Sequence, residues 1–232
     1  MTDQTDTTPR VRLLDLFCGA GGCTKGYQRA GFTVTGVDLN PQPNYIGGKF
    51  HRADALDFLA NIDPDDYDAI HASPPCQAYT RARKLQNNDH PELLDDTREL
   101  LVQTGLPYVI ENVKGAPLIA PVMLEGQMFG LNTHRPRLFE TNWPLTVPTL
   151  VPPPPRQAKM GRPPKPGEAI QVVGHFSDIK AAREAMGIWW MTAKELAQAI
   201  PPAYTAFIGD QLIRYILDES EWESIPAYAA GE

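Results

Sequence analysis

The stretch Val11-Arg12-Leu13-Leu14-Asp15-Leu16-Phe17-Cys18-Gly19-Ala20-Gly21-Gly22 places a short apolar run directly before a cluster of glycines. The residues that follow predict a helix over 25–30, which Gly31 ends, and a second strand over 32–37, which leads to Asp38. A strand, a glycine-rich turn, a helix, a second strand and an acid, in that order, are typical of a Rossmann-like nucleotide site. The stretch therefore predicts an α/β fold with a ligand at the turn.

The glycines of this turn have two explanations. Their spacing differs from the Gly-x-Gly-x-x-Gly fingerprint, so a dinucleotide is not indicated. Gly19, Gly21 and Gly22 would let a ligand lie against the backbone, and Asp38 would accept hydrogen bonds from ribose hydroxyl groups. The same glycines would also suit a tight turn that packs a helix on a sheet, and the sequence alone leaves both explanations open.

A second stretch, Ser73-Pro74-Pro75-Cys76-Gln77, follows a strand-like run over 67–72. Each proline fixes φ at about −65° and removes an N–H donor, so the backbone that leaves the strand is stiff. The thiol of Cys76 would then be presented in one direction, which suits a nucleophile. A buried free cysteine at the end of a strand is the alternative.

The rest of the chain alternates predicted strands and helices. Strands are expected over 49–53, 67–72, 108–110 and 169–176, with a pair of short strands over 126–139. Helices are expected over 55–60, 91–103, 179–186 and 204–217, and a loop over 77–89. Arg135 and Arg137, two apart, would alternate onto one face of their strand.

Taken together, Asp15 to Gly22, the Pro75-Cys76-Gln77 segment, Glu111-Asn112-Val113 and Arg135-Pro136-Arg137 resemble the motifs of the DNA (cytosine-5) methyltransferases. The resemblance covers residues 11–142 and 191–217. It implies a Rossmann-like sheet for S-adenosylmethionine-dependent methyl transfer, with helices on both faces and a small proline-rich recognition insert. The chain departs from the pattern at Thr133, where glutamine is usual, and at Ala197-Gln198, where Gly-Asn is usual.

The resemblance also implies a set of binding residues. The glycine loop would lie beside the methionine and ribose of S-adenosylmethionine, and Asp54 would bind the adenine amino group. The implied cofactor residues are Asp15, Phe17, Gly19, Gly21, Gly22, Asp38, Leu39, Asp54, Ala55 and Pro75. The implied contacts to DNA or to the target base are Gln77, Thr80, Arg81 and Asn112. Cys18 and Cys23 are interpreted as small fillers, because no cysteine or histidine spacing of a zinc site is present.

The chemistry of cytosine explains why these residue types belong together. Carbon 5 becomes nucleophilic only after a thiolate, here Cys76, adds to carbon 6 and breaks the aromaticity of the ring. Glu111 would carry the proton that ring nitrogen 3 needs, provided that burial raises its pKa. Arg135 and Arg137 would bind the carbonyl oxygen of the base and lower the pKa of the thiol. The predicted catalytic set is therefore Cys76, Glu111, Arg135 and Arg137.

Composition limits how the chain could hold DNA. The net charge of −7 argues against binding through bulk electrostatics, so contacts must come from local basic patches. Two patches are candidates: Arg81, Arg83 and Lys84 in one, and Arg156, Lys159, Arg162 and Lys165 in the other. A base inside a duplex would also have to be flipped out of the stack.

The predicted domain organisation has five parts: a polar tail over 1–10, a catalytic and cofactor-binding core over 11–142, a reduced target-recognition segment over 143–190, a C-terminal motif and helix over 191–220, and a tail over 221–232. Because the recognition segment is short and rich in proline, we expect either loose sequence specificity or a partner or oligomer that completes the grip on DNA. The chain has only three cysteines, and neither an apolar run that could span a bilayer nor a leader is recognised in it. These features predict a cytoplasmic protein of a bacterial or phage-infected cell.

Four other functions stay open at this point. An exocyclic-amino methyltransferase would fit Ser73-Pro74-Pro75, but Cys76 replaces the aromatic residue that its motif requires. A zinc deaminase would need a cysteine at Tyr79 and a preceding His-x-Glu. A non-catalytic relative that binds DNA or cofactor, and a methyltransferase acting on RNA or a free cytosine nucleotide, complete the alternatives.

Overall fold

The fold is centred on a single mixed sheet. A computed structural model describes residues 11–75, 92–147, 156–159, 162–174 and 176–217. Its strands are β1 (Arg12–Leu16), β2 (Thr33–Asp38), β3 (Lys49–Arg52), β4 (Ala69–Ala72), β5 (Tyr108–Asn112), β6 (Val122–Leu124), β7 (Arg137–Thr141), β8 (Arg156–Gln157) and β9 (Glu168–Ala169). Seven of them form one sheet in the order β3-β2-β1-β4-β5-β7-β6, and β8 pairs with β9 separately. The first five strands in this order, β3, β2, β1, β4 and β5, are parallel to one another, and β7 is antiparallel to its two neighbours β5 and β6.

Helices cover both faces of this sheet. Among the described residues they are α1 (Gly22–Arg29), α2 (Ala55–Ala60), α3 (Leu94–Thr104), α4 (Ile179–Met186), α5 (Ala193–Gln198) and α6 (Pro202–Leu217), with 3-10 turns at Pro64–Asp66 and Gly126–Phe129. Side chains alternate between the faces of a strand, so Leu13 of β1 packs on one face and Leu14 on the other. The face of Leu13 is covered by α1 and α6, and the face of Leu14 by α2 and α3. The predicted fold class is confirmed.

Helices α1 and α6 pack closely enough to exclude even a methyl group. A Cβ on Gly26 would lie 2.0 Å from Thr205 Oγ1 and 2.3 Å from the Pro202 carbonyl oxygen. The hydroxyl of Thr205 donates to the carbonyl oxygen of Cys23 over 2.9 Å. Glycine at position 26 is therefore what lets the C-terminal helix lie against the first helix of the chain.

A third apolar cluster lies outside the sheet and is built largely from residues 170–196. Met186 of α4, Ile188 and Leu196 of α5 are buried there together with Ala20 of the glycine loop. The indole Nε1 of Trp190 donates to the carbonyl oxygen of Ala20 over 2.8 Å. The segment after the proline-rich region is thereby attached to the loop that follows β1.

Two sequence predictions need correction. The pair of strands expected over 126–139 is instead β6 at Val122–Leu124, a 3-10 turn, and β7 from Arg137 onwards. Residues 169–176 contribute only the end of the two-residue strand β9. In both places the backbone hydrogen bonds are made with residues remote in sequence, such as Ile170 N–H with the Asn132 carbonyl, and local periodicity does not record such partners.

Candidate active site

The candidate site lies along the edge of the sheet where its parallel strands end. Strands β1, β2, β4 and β5 are parallel, so their carboxyl ends meet at one edge. Phe17 follows β1, Leu39 follows β2, Ser73 follows β4, and Glu111 and Asn112 close β5. Ligands bind at this edge in open α/β sheets.

The loop after β1 adopts a backbone that most side chains avoid. Phe17 has φ 59° and Gly19 has φ 51°, both in the left-handed region. For Phe17, which carries a Cβ, this conformation is strained, and such strain is concentrated at functional sites. The amide of Gly19 donates to Asp38 Oδ2 over 3.1 Å, and Asp38 Oδ1 accepts from the Asn40 amide at 2.8 Å. Asp38 thus fixes the glycine loop to the end of β2.

The glycines of this loop divide between the two explanations that the sequence left open. A Cβ on Gly22 would lie 2.5 Å from the Ile200 carbonyl oxygen, and one on Gly21 would lie 2.8 Å from the Ile46 side chain. These two glycines allow close packing of the protein on itself. A Cβ on Gly19 would meet nothing within 4 Å among the described residues. Gly19 therefore faces space that a ligand could fill.

Asp15 is a buried carboxyl group beneath the loop. Its Oδ2 accepts a hydrogen bond from Thr24 Oγ1 over 2.5 Å, whereas its Oδ1 is buried without a hydrogen-bond partner among the described residues. Burial raises the pKa of Asp15 to about 7, and the Thr24 hydrogen bond only partly opposes this rise. An unsatisfied buried oxygen is costly, and a ligand that donates to it would remove that cost.

The remaining predicted cofactor residues lie at the neighbouring strand ends. Leu39 is 62% exposed directly after Asp38, so its side chain is free to contact a ligand at this strand end. Asp54 caps α2, since its Oδ1 accepts from the amides of Leu56 and Asp57. Ala55 is buried in the first turn of that helix, and Pro75 is half-buried after β4.

Glu111 is buried and paired with Arg137 on the adjacent strand. The Nε of Arg137 lies 3.1 Å from Glu111 Oε1, and both side chains are largely shielded from solvent. Burial raises the pKa of Glu111, and the charge of Arg137, a hydrogen bond from Ser73 and the charge of Arg135 oppose the rise. A carboxyl group in these surroundings keeps its proton to a higher pH than a solvated glutamate does.

Asn112 connects this acid to the loop after β4. Its Nδ2 donates to the Pro74 carbonyl oxygen over 3.1 Å, and its Oδ1 accepts from the Val113 amide at 2.9 Å. The side chain is 1% exposed. Its observed contacts hold the backbone before Cys76, and contact with a base stays a prediction.

Arg135 differs from the arrangement expected of it. Strand β7 begins at Arg137, so Arg135 is not part of the strand, and the idea that both arginines alternate onto one strand face is wrong. Its guanidinium donates to the carbonyl oxygens of Val172 (2.5 Å) and Ala197 (2.9 Å), and the residue is 1% exposed. These contacts join three separate parts of the chain. The two arginines therefore have different partners, and a direct catalytic role for Arg135 stays a prediction.

Four predicted residues, Cys76, Gln77, Thr80 and Arg81, lie outside the described residues, as do Arg83 and Lys84. The described part of the chain stops at Pro75 and continues from Glu92. In the second basic patch, Arg156, Lys159 and Lys165 are exposed, while Arg162 forms an ion pair with Glu168 at 2.7 Å.

Sequence reasoning missed several buried polar residues around the site. The carboxyl group of Glu125 accepts from the amides of Gly126 and Arg135, each over 2.8 Å, and so fixes the turn before β7. Tyr27 and His71 form a hydrogen bond in the core next to Ser73. Only the polarity of His71 within an otherwise apolar strand could have indicated this arrangement from the sequence.

The part of the chain that the structure describes holds neither a metal cluster nor a membrane-spanning helix. No group of three or more His, Cys, Asp or Glu side chains is placed there to hold a metal ion. No helix there is both long and apolar enough to cross a membrane. Cys18 and Cys23 are buried free thiols, and burial raises the pKa of both well above its ordinary value.

The fold is that of methyltransferases of known structure. The Dnmt2 methyltransferase of S. pombe superposes with a TM-score of 0.59 at 15% identity, covering 89% of this chain and 99% of that one. The Entamoeba histolytica methyltransferase EhMeth gives a TM-score of 0.56 at 14% identity, covering 92% and 99%. At such low identity these likenesses establish the fold alone.

Sequence comparison then shows which known proteins the chain resembles. Residues 11–117 match the model of the C-5 cytosine-specific DNA methylase family. The chain is 26% identical over 165 residues to the type II methyltransferase M.AgeI of Thalassovita gelatinovora, and 32% identical over 123 residues to M.AquIA of a Picosynechococcus strain. These matches cover 56% and 45% of this chain. The chain spans 38% and 49% of the length of these two relatives.

Proposed function

We propose that the chain is a DNA (cytosine-5) methyltransferase that uses S-adenosylmethionine and forms a transient covalent bond between Cys76 and the target cytosine. The observation that carries the proposal is the buried Glu111–Arg137 pair, whose strand neighbour Asn112 holds the Pro74 carbonyl two residues before Cys76. An acid able to donate a proton is thus fixed next to the backbone that presents the thiol. The match of residues 11–117 to the C-5 cytosine-specific DNA methylase model supports the same reaction.

The residues at the strand ends fit S-adenosylmethionine. The open space over Gly19 lets a ligand approach the backbone closely. Asp15 Oδ1, which has no partner among the described residues, can accept a hydrogen bond from the ligand, and the exposed Leu39 offers an apolar surface to a base. Asp38 can accept further hydrogen bonds from ribose hydroxyls, and Asp54 from an exocyclic amino group. When bound, S-adenosylmethionine supplies an electrophilic methyl group.

The protein's own residues would prepare cytosine for methylation. The thiolate of Cys76 adds to carbon 6, and the electron density displaced into the ring is neutralised by a proton from Glu111 at ring nitrogen 3. Carbon 5 is then electron-rich and accepts the methyl group. Loss of the carbon 5 proton to water, elimination of the Cys76 sulphur as thiolate and return of the nitrogen 3 proton to Glu111 restore the aromatic ring and the free enzyme.

The environment of Glu111 suits this proton transfer. Burial raises its pKa, so the protonated form is retained to a higher pH than in a solvated glutamate. Arg137 limits the rise, which keeps the proton transferable, and would orient the carboxyl group toward the base. Arg137 is therefore placed to assist Glu111, while Arg135 stabilises the segments around it.

DNA would be the partner, bound through local basic residues in spite of the overall charge of −7. Arg156, Lys159 and Lys165 are exposed and available to phosphates, and Gln77, Thr80, Arg81 and Asn112 remain the proposed contacts to the flipped base. The short recognition segment supports loose specificity, or a partner or second copy that completes the grip. Because relatives such as M.AgeI and M.AquIA are bacterial proteins, we place the enzyme in the cytoplasm of a bacterial or phage-infected cell.

The test is transfer of labelled methyl groups to DNA, followed by hydrolysis and identification of the methylated base. We expect 5-methylcytosine, a rate lower by roughly 10²- to 10⁴-fold for Glu111→Gln, and no change for Glu99→Gln, the same substitution at an exposed position of α3. Methylation of an exocyclic amino group, of RNA only, or of nothing would refute the proposal. Bisulphite sequencing of DNA from expressing cells would refute loose specificity if methylation were confined to a long, strictly defined site.

A further inference from the structure

Three buried polar side chains form a continuous hydrogen-bonded row inside the core. The hydroxyl oxygen of Tyr27, on α1, lies 2.9 Å from His71 Nδ1, and His71 Nε2, on β4, lies 3.0 Å from Ser73 Oγ. Tyr27 and His71 are both 0% exposed. Their rings also meet edge to face, with centroids 5.4 Å apart. A histidine held on both nitrogens in this way has a single orientation.

The number of protons on the His71 ring determines which atom donates in each of these hydrogen bonds. Burial lowers the pKa of His71 to about 3, so the ring is neutral at working pH and carries one N–H. If that proton were on Nδ1, the buried hydroxyl proton of Tyr27 would have no acceptor among the described residues. An unsatisfied buried donor costs about 1–3 kcal/mol. The favoured arrangement is therefore Tyr27 O–H donating to Nδ1, and Nε2–H donating to Ser73 Oγ.

The row continues to the candidate catalytic acid. With its oxygen accepting from His71, the Ser73 hydroxyl keeps its own proton free to donate. Ser73 and Glu111 directly follow the paired residues Ala72 of β4 and Ile110 of β5, so they are neighbours across the sheet, and Ser73 opposes the rise in the pKa of Glu111 as a hydrogen-bond donor would. Ser73 also lies beside the thiol of Cys23, which burial keeps protonated and which can therefore accept only weakly from the Ser73 hydroxyl. The Glu111 carboxylate is the stronger acceptor for the Ser73 proton.

We propose that Tyr27, His71 and Ser73 form a relay of hydrogen bonds that fixes the Ser73 hydroxyl as a donor to the Glu111 carboxylate, and that all three are positioning residues for this acid. The proposal rests on the function proposed above for Glu111. Neither the family match nor the sequence assigns a role to Tyr27 or His71. Because hydrogen bonds in a chain polarise one another, Tyr27 acts on Glu111 through two intermediaries.

The relay would tune when Glu111 holds its proton. Glu111 faces Ser73 from β4, Arg137 and Arg135 from the β7 region, and Cys23 from α1. A donor to the carboxylate stabilises the charged form and so lowers the pKa, in opposition to burial. Loss of the relay should therefore raise the pKa of Glu111, even when the substituted residue is Tyr27, which is remote from Glu111.

The first experiment reads the relay without any substrate. The ¹⁵N chemical shifts of His71 should identify the tautomer with hydrogen on Nε2, whereas hydrogen on Nδ1 would overturn the proposal. The carboxyl carbon of Glu111, assigned by its absence in Glu111→Gln, should titrate about one pH unit higher in Ser73→Ala. It should move in the same direction, by less, in Tyr27→Phe.

A matched control separates the relay from the general effect of deleting a buried hydroxyl group. Tyr67→Phe removes a hydroxyl from another buried tyrosine, whose hydrogen-bond partner is Thr35, and should leave the titration of Glu111 unchanged. If Ser73→Ala raises the pKa of Glu111 but Tyr27→Phe does not, Ser73 acts as an isolated donor and the relay is refuted. If Tyr67→Phe changes the pKa of Glu111 as much as Tyr27→Phe does, the relay is refuted as well.

The second experiment follows the pH dependence of methyl transfer. In Tyr27→Phe and Ser73→Ala the alkaline limb should move to higher pH, because Glu111 would stay protonated longer, and Tyr67→Phe should keep the wild-type profile. If the alkaline limb of the pH–rate profile were unshifted in both Tyr27→Phe and Ser73→Ala, the relay would have no role in catalysis. Failure of the wild-type protein to transfer methyl groups would instead refute the proposed function, and the tautomer and the titration of Glu111 would still decide the relay.

Discussion

Asn112 Nδ2 lies 3.1 Å from the carbonyl oxygen of Pro74, and this hydrogen bond joins the end of β5 to the loop that follows β4. Glu111 immediately precedes Asn112, and Cys76 follows Pro74 by two residues. A single buried amide thus couples the end of β5, where Glu111 lies, to the backbone two residues before Cys76. The geometry of the proposed reaction depends on that amide remaining in place.

Replacing Asn112 with Asp should damage both stability and activity. The substitution puts an acceptor against the Pro74 carbonyl and buries a carboxyl group, and the loss of a buried hydrogen bond should lower the free energy of unfolding by about 1–3 kcal/mol. Urea denaturation and the methylation rate measure the two effects. Asn61→Asp, at the exposed end of α2, is the control. Equal behaviour of the two variants would show that the Asn112–Pro74 bond has no special role.

Removal of Arg137 should leave Glu111 without its charged partner. Arg137→Met should lower the free energy of unfolding by about 3 kcal/mol, because a buried ion pair is broken on one side only. Adding Glu111→Gln to this variant should recover part of the loss, which gives a coupling energy above about 1 kcal/mol in a double-mutant cycle. Strictly additive single and double variants would contradict direct pairing.

Gly26→Ala should destabilise the protein although alanine is the better helix former. In an exposed helix the change would stabilise by about 1 kcal/mol, but here the new methyl group would meet Thr205 and the backbone of α6. Gly48→Ala, where a Cβ would meet nothing within 4 Å, is the matched control and should be nearly neutral. Thermal denaturation should give a lower midpoint for Gly26→Ala than for the wild type. A higher midpoint would contradict the close packing of α1 on α6.

Asp15 should make stability fall as the pH rises. Its folded pKa of about 7 lies above the ordinary value of 3.8, so between these values the unfolded chain releases a proton that the folded protein retains. Stability is therefore lost between about pH 4 and pH 7, and Asp15→Asn should remove this part of the dependence. Urea denaturation at pH 5 and pH 8 measures it, and an identical pH dependence in both proteins would contradict the buried state of Asp15.

The same substitution should weaken binding of S-adenosylmethionine. Asp15→Asn keeps one oxygen for Thr24 but replaces the unpartnered Oδ1 with an amide donor, which cannot accept a hydrogen bond from the ligand. Calorimetry with S-adenosylmethionine should give a Kd higher by about tenfold, while Asn61→Asp should bind as the wild type does. Unchanged affinity would show that Oδ1 does not face the ligand.

The sequence predicted those parts of the fold whose signals are local. Helices over 55–60 and 179–186 were predicted with the observed bounds, since each begins after a capping aspartate, Asp54 or Asp178. The role of Arg135 could not be predicted, because its partners Val172 and Ala197 are 37 and 62 residues away. The contact between Tyr27 and His71 spans 44 residues and follows from packing of α1 on the sheet. Tertiary contacts of this kind leave no periodic pattern in the sequence.

The most direct test of the proposed chemistry is covalent trapping on DNA that contains 5-fluorocytosine, in the presence of S-adenosylmethionine. Fluorine at carbon 5 blocks the elimination step, so the wild-type protein should form a stable protein–DNA adduct, whose attached peptide contains Cys76. Cys76→Ser should form none and should lose methyl transfer, while Cys23→Ser should still be trapped. An adduct independent of Cys76, or methyl transfer by Cys76→Ser at the wild-type rate, would contradict the account.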